Sequence, residues 1–160
     1  MISTPTRYET VVPWCNYTAG NKRWADAEKC GRELLSINPG RSGGYSMLAF
    51  VYTSQQRWSD LDKVLADGER NVPDNLSPYF NAGRLLADSG ADNARGERYL
   101  RKYLSQDPEP SSPRPAVAHW RLAQIMEKSG RKPEAVAELE TATRLQPKFE
   151  AAEKDLKRLK

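Results

Sequence analysis

The chain has 160 residues, with 25 Lys plus Arg against 21 Asp plus Glu, a formal charge of +4. Its apolar fraction of 38% is lean but well above that of a disordered chain, and no apolar run is long enough to span a membrane. A single His and two Cys leave too few ligands for a zinc site. No metal and no cofactor is expected.

Internal repetition organises the rest. Pro39, Pro73, Pro108 and Pro147 each follow an amphipathic run, at spacings of 34, 35 and 39. Arg23-Trp24-Ala25-Asp26-Ala27 and Arg57-Trp58-Ser59-Asp60-Leu61 lie 34 apart, and Arg131-Lys132-Pro133-Glu134-Ala135 takes the same place later. Two kinds of marker in one register define four repeats, about 8–41, 42–75, 76–110 and 116–149, in one domain over 1–160.

In chain order, the first repeat is irregular. Pro13 is expected to interrupt its opening helix, Gly31 stands where a large apolar residue belongs, and Leu34 where a small one does. Cys15 and Cys30 fall on its two helices at similar distances from the turn at Gly20-Asn21-Lys22. They could face each other as a disulfide, or remain two buried thiols. The second repeat places Tyr45, Leu48, Ala49 and Tyr52 on one helical face and Leu61, Leu65 and Gly68 on the next. The third shows Tyr79, Ala82, Gly83 and Leu86, an extra residue in the turn Ala91–Arg95, then Gly96, Leu100 and Tyr103. Residues 108–115 carry four prolines and make the interval five residues longer than the 34-residue period. This stretch reads as an extended inter-repeat loop, with a PxxP ligand as the alternative. The fourth repeat gives His119, Leu122, Ala123 and Met126, then Ala135, Leu139 and Ala142. Gly90 and Gly130 suit left-handed caps after first helices. Residues 149–160 have one apolar stripe, Phe149, Ala152, Leu156 and Leu159, as a capping helix would. Their basic face leaves a membrane-surface helix as the alternative.

One slot holds only small residues: Cys15, Ala49, Gly83 and Ala123. A small side chain there lets the second helix of a repeat pack closely on the first. This pattern resembles the tetratricopeptide repeat, over residues 8 to 149. The family's aromatic–Leu–Gly–Tyr helix is approximated by Tyr45-Leu48-Ala49-Tyr52, and its Ala–aromatic–Ala–Pro helix by Ala135-Leu139-Ala142-Pro147. The resemblance implies an all-α fold, a right-handed α-solenoid of antiparallel helix-turn-helix hairpins. It implies too a non-enzymatic scaffold that receives a peptide or partner segment on its concave side.

First helices line that side, and the residues one step beyond the core stripe are its candidates: Asn16, Phe50, Phe80, Arg84, Trp120 and Gln124, with Val12, Ser46, Thr53, Asp88, Val117 and Glu127 beside them. If Phe50, Phe80 and Trp120 stand exposed there they favour association, with packing against neighbouring helices as the alternative. The Lys/Asn clamp by which some relatives hold C-terminal carboxylates is absent except for Asn16, since Val12, Met47 and Phe80 occupy its other places. An apolar or aromatic peptide, with an acidic group meeting Arg84, is expected instead.

Catalytic signatures are absent. Gly40-Arg41-Ser42-Gly43-Gly44 lacks the Lys and Ser/Thr of a phosphate loop, and His119 sits on the core stripe and reads as packed. Arg95, Arg98, Arg101 and Lys102 lie along one helix, but Glu97 dilutes them and +4 is modest, so nucleic acid is disfavoured. A structural module, forming a homo-oligomer or docking onto a larger polypeptide, is the competing reading. Asn16-Tyr17-Thr18 and Asn75-Leu76-Ser77 match a glycosylation acceptor but carry little weight alone. No apolar segment follows Met1–Thr6, so no signal peptide is read there and the default compartment is cytoplasmic, although an upstream leader would be invisible.

Overall fold

A computed structural model describes residues 4–160, and among these residues every regular element is a helix. Two compact units divide the chain at residues 78 and 79. The first holds α1 (Arg7–Gly20), α2 (Trp24–Ile37), α3 (Ser42–Ser54) and α4 (Trp58–Asn71). The second holds nearly all of α5 (Ser77–Ser89), then α6 (Asn93–Tyr103), α7 (Pro115–Lys128), α8 (Lys132–Leu145) and α9 (Glu150–Leu159). Odd-numbered helices up to α7 open the four repeats, and even-numbered ones close them.

Local chemistry sets the boundaries. Thr6 and Glu9 form a reciprocal capping box at the start of α1, with the Thr6 amide donating to Glu9 Oε2 at 2.8 Å. Each hairpin turn passes through one left-handed residue: Lys22 (φ 57°), Gln56 (φ 55°), Gly90 (φ 68°) and Gly130 (φ 73°). The two glycines take this conformation without a Cβ penalty, as expected, whereas Lys22 and Gln56 bear it. After Lys22, Gln56 and Gly130 comes an arginine that caps the next helix, Arg23, Arg57 and Arg131. Each reaches forward to an acid in the first turn: Arg23 to Asp26 at 2.6 Å, Arg57 to Asp60 at 2.8 Å, and Arg131 to Glu134. The repeated Arg-x-x-acid marker is thus a helix-start device, and the acid sits where the helix dipole favours it. In the third repeat the extra turn residue moves this role to Asp92, whose side chain accepts from the Arg95 amide at 2.9 Å.

The stripes predicted for the second and fourth repeats are buried: Tyr45, Leu48, Ala49 and Tyr52, and Leu122, Ala123 and Met126. The small slot works as expected. A Cβ on Gly83 would stand 2.7 Å from Leu100 Cγ, so only glycine admits α6 at this distance. Gly31 has its own reason. A Cβ there would meet Leu48 Cγ at 2.8 Å, and its carbonyl lies 3.1 Å from a Cβ placed on Gly44, so α2 and α3 cross at a glycine pair.

Three expectations are corrected. Pro13 does not break the opening helix: α1 runs through it, because the missing amide removes one hydrogen bond and the ring lies on the exposed face. The second helix of the third repeat stops at Tyr103, so Pro108 lies within a loop rather than just past a helix end. That loop is tethered, with the Tyr103 hydroxyl donating to the Pro113 carbonyl and the Ser112 amide to Glu109 at 2.9 Å. Its last proline, Pro115, is the first residue of α7, where no amide proton is needed. The third correction concerns the rings of the inner rows and is taken up with the site.

Candidate functional site

The 34-residue register sorts the candidate side chains into two rows of equivalent places on the first helices, taken within each unit. Asn16 and Phe50 in the first unit, and Arg84 and Gln124 in the second, hold one register place, and none is buried. Phe50 tilts against Trp24 at a ring separation of 6.0 Å, which covers part of its surface. Arg84 reaches Asp88 at 3.8 Å, and Gln124 accepts from Arg121 Nη1 at 3.0 Å.

The other row holds Phe80 and Trp120, and of the two readings of these rings, free or packed against neighbouring helices, the structure has the packed one. Phe80 is only 4% exposed and packs on Tyr103 at 5.2 Å. The corresponding second-helix places in the neighbouring repeats are Gly68 and Ala142, so the large Tyr103 reaches a ring those small residues would leave uncovered. Trp120 is half-buried against α9: its Nε1 donates to Asp155 Oδ2 at 2.8 Å, its ring meets Phe149 edge-on at 5.5 Å, and the Arg121 guanidinium lies over it at 4.4 Å. It fastens the closing helix. The Glu127 carboxylate supports the same contact by a bidentate pair with Arg158, at 2.5 and 2.8 Å.

What α5, α7 and α9 leave between them is an open hollow of about 590 Å³ lined by Ala87, Asp88, Gln124, Glu127, Lys128, Asp155 and Arg158. Six of the seven lining residues carry a polar or charged group, with both charge signs present, and their aliphatic stems leave apolar surface between those groups. Arg158 beside Glu127 holds that carboxyl below the usual carboxylate range. Lys128 Nζ donates to the carbonyls of Ala87 and Asp88 near the end of α5, where the helix dipole favours a cation. Nothing in this arrangement polarises a bond or activates a nucleophile. Its side chains can pair with charged groups and accept or donate hydrogen bonds.

Two buttresses lie away from the inner rows. In the first unit Glu28 of α2 takes Arg57 at 2.6 Å, Arg32 at 2.8 Å and the Tyr52 hydroxyl at 3.0 Å. The hydrogen bond from Arg57, more than the others, holds its carboxyl down at about 2. In the second unit Glu97 of α6 takes Arg131 at 2.7 Å and Arg101 at 2.9 Å, and its carboxyl is likewise lowered. Both join a second helix to the arginine that caps the next one. The basic residues of α6 are therefore engaged: Arg101 with Glu97, and Arg98 over the Tyr99 ring at 5.3 Å. His119 is not sealed in the core; it is half-buried, with Nδ1 2.7 Å from Glu138 Oε2. Cys15 and Cys30, both buried, are joined as a disulfide with Cα atoms 5.4 Å apart, so the small slot of the first repeat is a covalent contact. Among the described residues no group of three or more His, Cys, Asp or Glu could hold a metal, and no helix is long and apolar enough to cross a membrane.

Helix hairpins in a 34-residue register, with a small residue at each close contact, define a helical-repeat protein. The comparisons place the fold more narrowly. A thermophilic tetratricopeptide-repeat protein from Thermus thermophilus superposes over 98% of this chain and 82% of its own, with a TM-score of 0.73 and 20% identity. PilW, a type IV pilus biogenesis factor, matches over 98% and 70% at a TM-score of 0.68 and 19% identity. PilF of Pseudomonas aeruginosa matches over 95% and 67%, with a TM-score of 0.70 and 14% identity. The chain has the tetratricopeptide-repeat fold, with four hairpins and a closing helix among its described residues. Among curated sequences, a pentatricopeptide repeat-containing protein of Arabidopsis thaliana is 41% identical over 51 residues, 29% of this chain. A second from the same plant is 45% identical over 38 residues. The chain spans less than a tenth of the length of these relatives, 9% and 8%. No family model matches it.

Proposed function

We propose that the chain is a non-enzymatic protein-interaction scaffold, and that the polar inner face of α5, α7 and α9 holds an extended segment of a partner polypeptide. The observation that carries this reading is the open hollow lined by Asp88, Gln124, Glu127, Lys128, Asp155 and Arg158. It offers charges of both signs along successive first helices without gathering any catalytic group. With Phe80 in the core and Trp120 on α9, the favoured ligand is not an apolar or aromatic peptide. It is a polar segment with charges of both signs, held by side-chain pairing near Gln124 and Arg84. The pilus-factor likeness concerns the fold alone and names no partner for this chain.

The test is selection of peptides from a displayed random library on the intact chain, followed by calorimetric affinities for the winners. Gln124→Lys places bulk and charge in the hollow without touching the core, and it should raise Kd at least tenfold while the helical circular-dichroism signal stays constant. Failure to select any peptide, or selected peptides indifferent to Gln124→Lys, rejects the inner face as the site.

A further inference from the structure

The repeat register exposes a second surface, on the opening helix. In the first unit Gly44, Leu48 and Val51 of α3 are buried, and Gly31 and Leu35 of α2 lie directly on Gly44 and Leu48. The same register places in α7 are Ala118, Leu122 and Ile125, all fully buried, with Gly96 of α6 against Ile125. In both units, then, this face of a first helix is covered by the second helix of the repeat before it.

On α1 the same places are Thr10, Trp14 and Tyr17, and all three are exposed. Trp14 is 49% and Tyr17 54% exposed, and their rings stack at 5.5 Å. Two large rings standing in water at positions otherwise buried are costly for a surface without a partner. Aromatic side chains of this kind dominate binding energy when a partner covers them.

The buttresses specify the chemistry of that partner. Arg57 and Arg131 each take a glutamate from the preceding second helix, Glu28 and Glu97, in addition to their own forward acid. Arg23 is the equivalent residue of the first repeat. Its guanidinium lies over Trp14 at 5.3 Å and pairs with Asp26, and it stands beside the open rings with its side chain 47% exposed. We propose that this face docks an amphipathic helix of another protein, one that lays small residues on Trp14 and Tyr17 and presents a glutamate to Arg23. Small residues are required because Trp14 and Tyr17 replace the Leu and Val of α3, where the covering helix already uses glycine. A second copy of the chain fits less well. In a two-fold pair the mate has no free acid of α1 or α2 to offer Arg23: Glu9 is held by the cap, Asp26 by its own Arg23, Glu28 by Arg57 and Glu33 by Arg7.

The experiment uses the intact chain and a fluorescein-labelled peptide of residues 24–37 with Cys30→Ala, because α2 is the covering helix the fold itself supplies. Fluorescence anisotropy should show saturable binding below about 1 mM, the weak end of specific association. Glu28→Gln in the peptide should weaken binding several-fold, and Arg23→Ala in the chain should abolish that difference. Trp14→Ser/Tyr17→Ser should remove binding without changing helix content, since both rings are exposed. Gln124→Lys should leave it intact, which separates this surface from the inner face. Binding that ignores Trp14 and Tyr17, or no binding at that concentration, overturns the proposal. So does a dimer in sedimentation that disappears with Trp14→Ser/Tyr17→Ser, because a second copy would then be the occupant.

Discussion

Replacing Gly83 by alanine sets two known effects against each other. Alanine in a helix interior is favoured over glycine by about 1 kcal/mol. Against that, the new methyl would stand 2.7 Å from Leu100 Cγ, 3.0 Å from its Cδ2 and 3.3 Å from the Gly96 carbonyl oxygen. Carbon atoms in contact sit at about 3.5–4.0 Å, so something has to give by most of an ångström. Leu100 has no exposed surface to move into, and the carbonyl belongs to a helix backbone. Overpacking of this kind costs about 1–3 kcal/mol. The net expectation is a loss of about 1 kcal/mol, a fall of about 2–4 °C in Tm for a chain of this size. Gly20→Ala is the control. It lies at the end of α1 with nothing within 4 Å of its added methyl, and there the propensity gain acts alone. Thermal melts followed by circular dichroism should therefore order the proteins Gly20→Ala, wild type, Gly83→Ala. A Gly83→Ala protein stabilised over wild type, as Gly20→Ala should be, would show that α5 and α6 are not held at glycine distance.

Two further outcomes can be measured on the same material. Thiol titration of the denatured, unreduced chain should find no free cysteine, and reduction should lower stability by about 3 kcal/mol, the entropy of opening a loop with a sequence separation of 15. Glu28→Gln should destabilise in a pH-dependent way. Because the native carboxyl is held at about 2 against an ordinary 4.5, its contribution is complete above pH 4.5 and is lost as pH falls toward 2. Glu28 is partly solvated, so the difference at neutral pH should be about 1 kcal/mol. Urea titrations of both proteins at several pH values should show the gap closing in acid, and a gap that persists at pH 2 contradicts the buttress.

The architecture was legible because its determinants are local and repeated. Proline after a helix, a small residue at each close contact and an arginine three residues before an acid each have one physical use. They recur at one spacing. The turns were only half legible: Gly90 and Gly130 announce a left-handed conformation, whereas Lys22 and Gln56 adopt it without saying so. The capping box at Thr6 and Glu9 is written openly in the sequence and was a missed signal. The rings failed for a different reason. Whether Phe80 or Trp120 stands free depends on what arrives from elsewhere in the chain, Tyr103 in one case and Asp155 with Phe149 in the other. Helical periodicity reports which way a side chain leaves its own helix and nothing of its visitor. The same gap hid the importance of Trp14 and Tyr17, which become informative only once α3 and α7 show what normally lies over their places.

The covalent tie between Cys15 and Cys30 has a mechanical side. Tension applied along the chain passes through the sulfur atoms and skips the fourteen residues between them. At about 3.5 Å per extended residue, some 50 Å of slack stays locked away while the rest of the polypeptide can be drawn out. A tether hung from the beginning of this molecule would thus pull through the sulfur bridge on the residues beyond Cys30 while the hairpin turn between the two cysteines stayed slack.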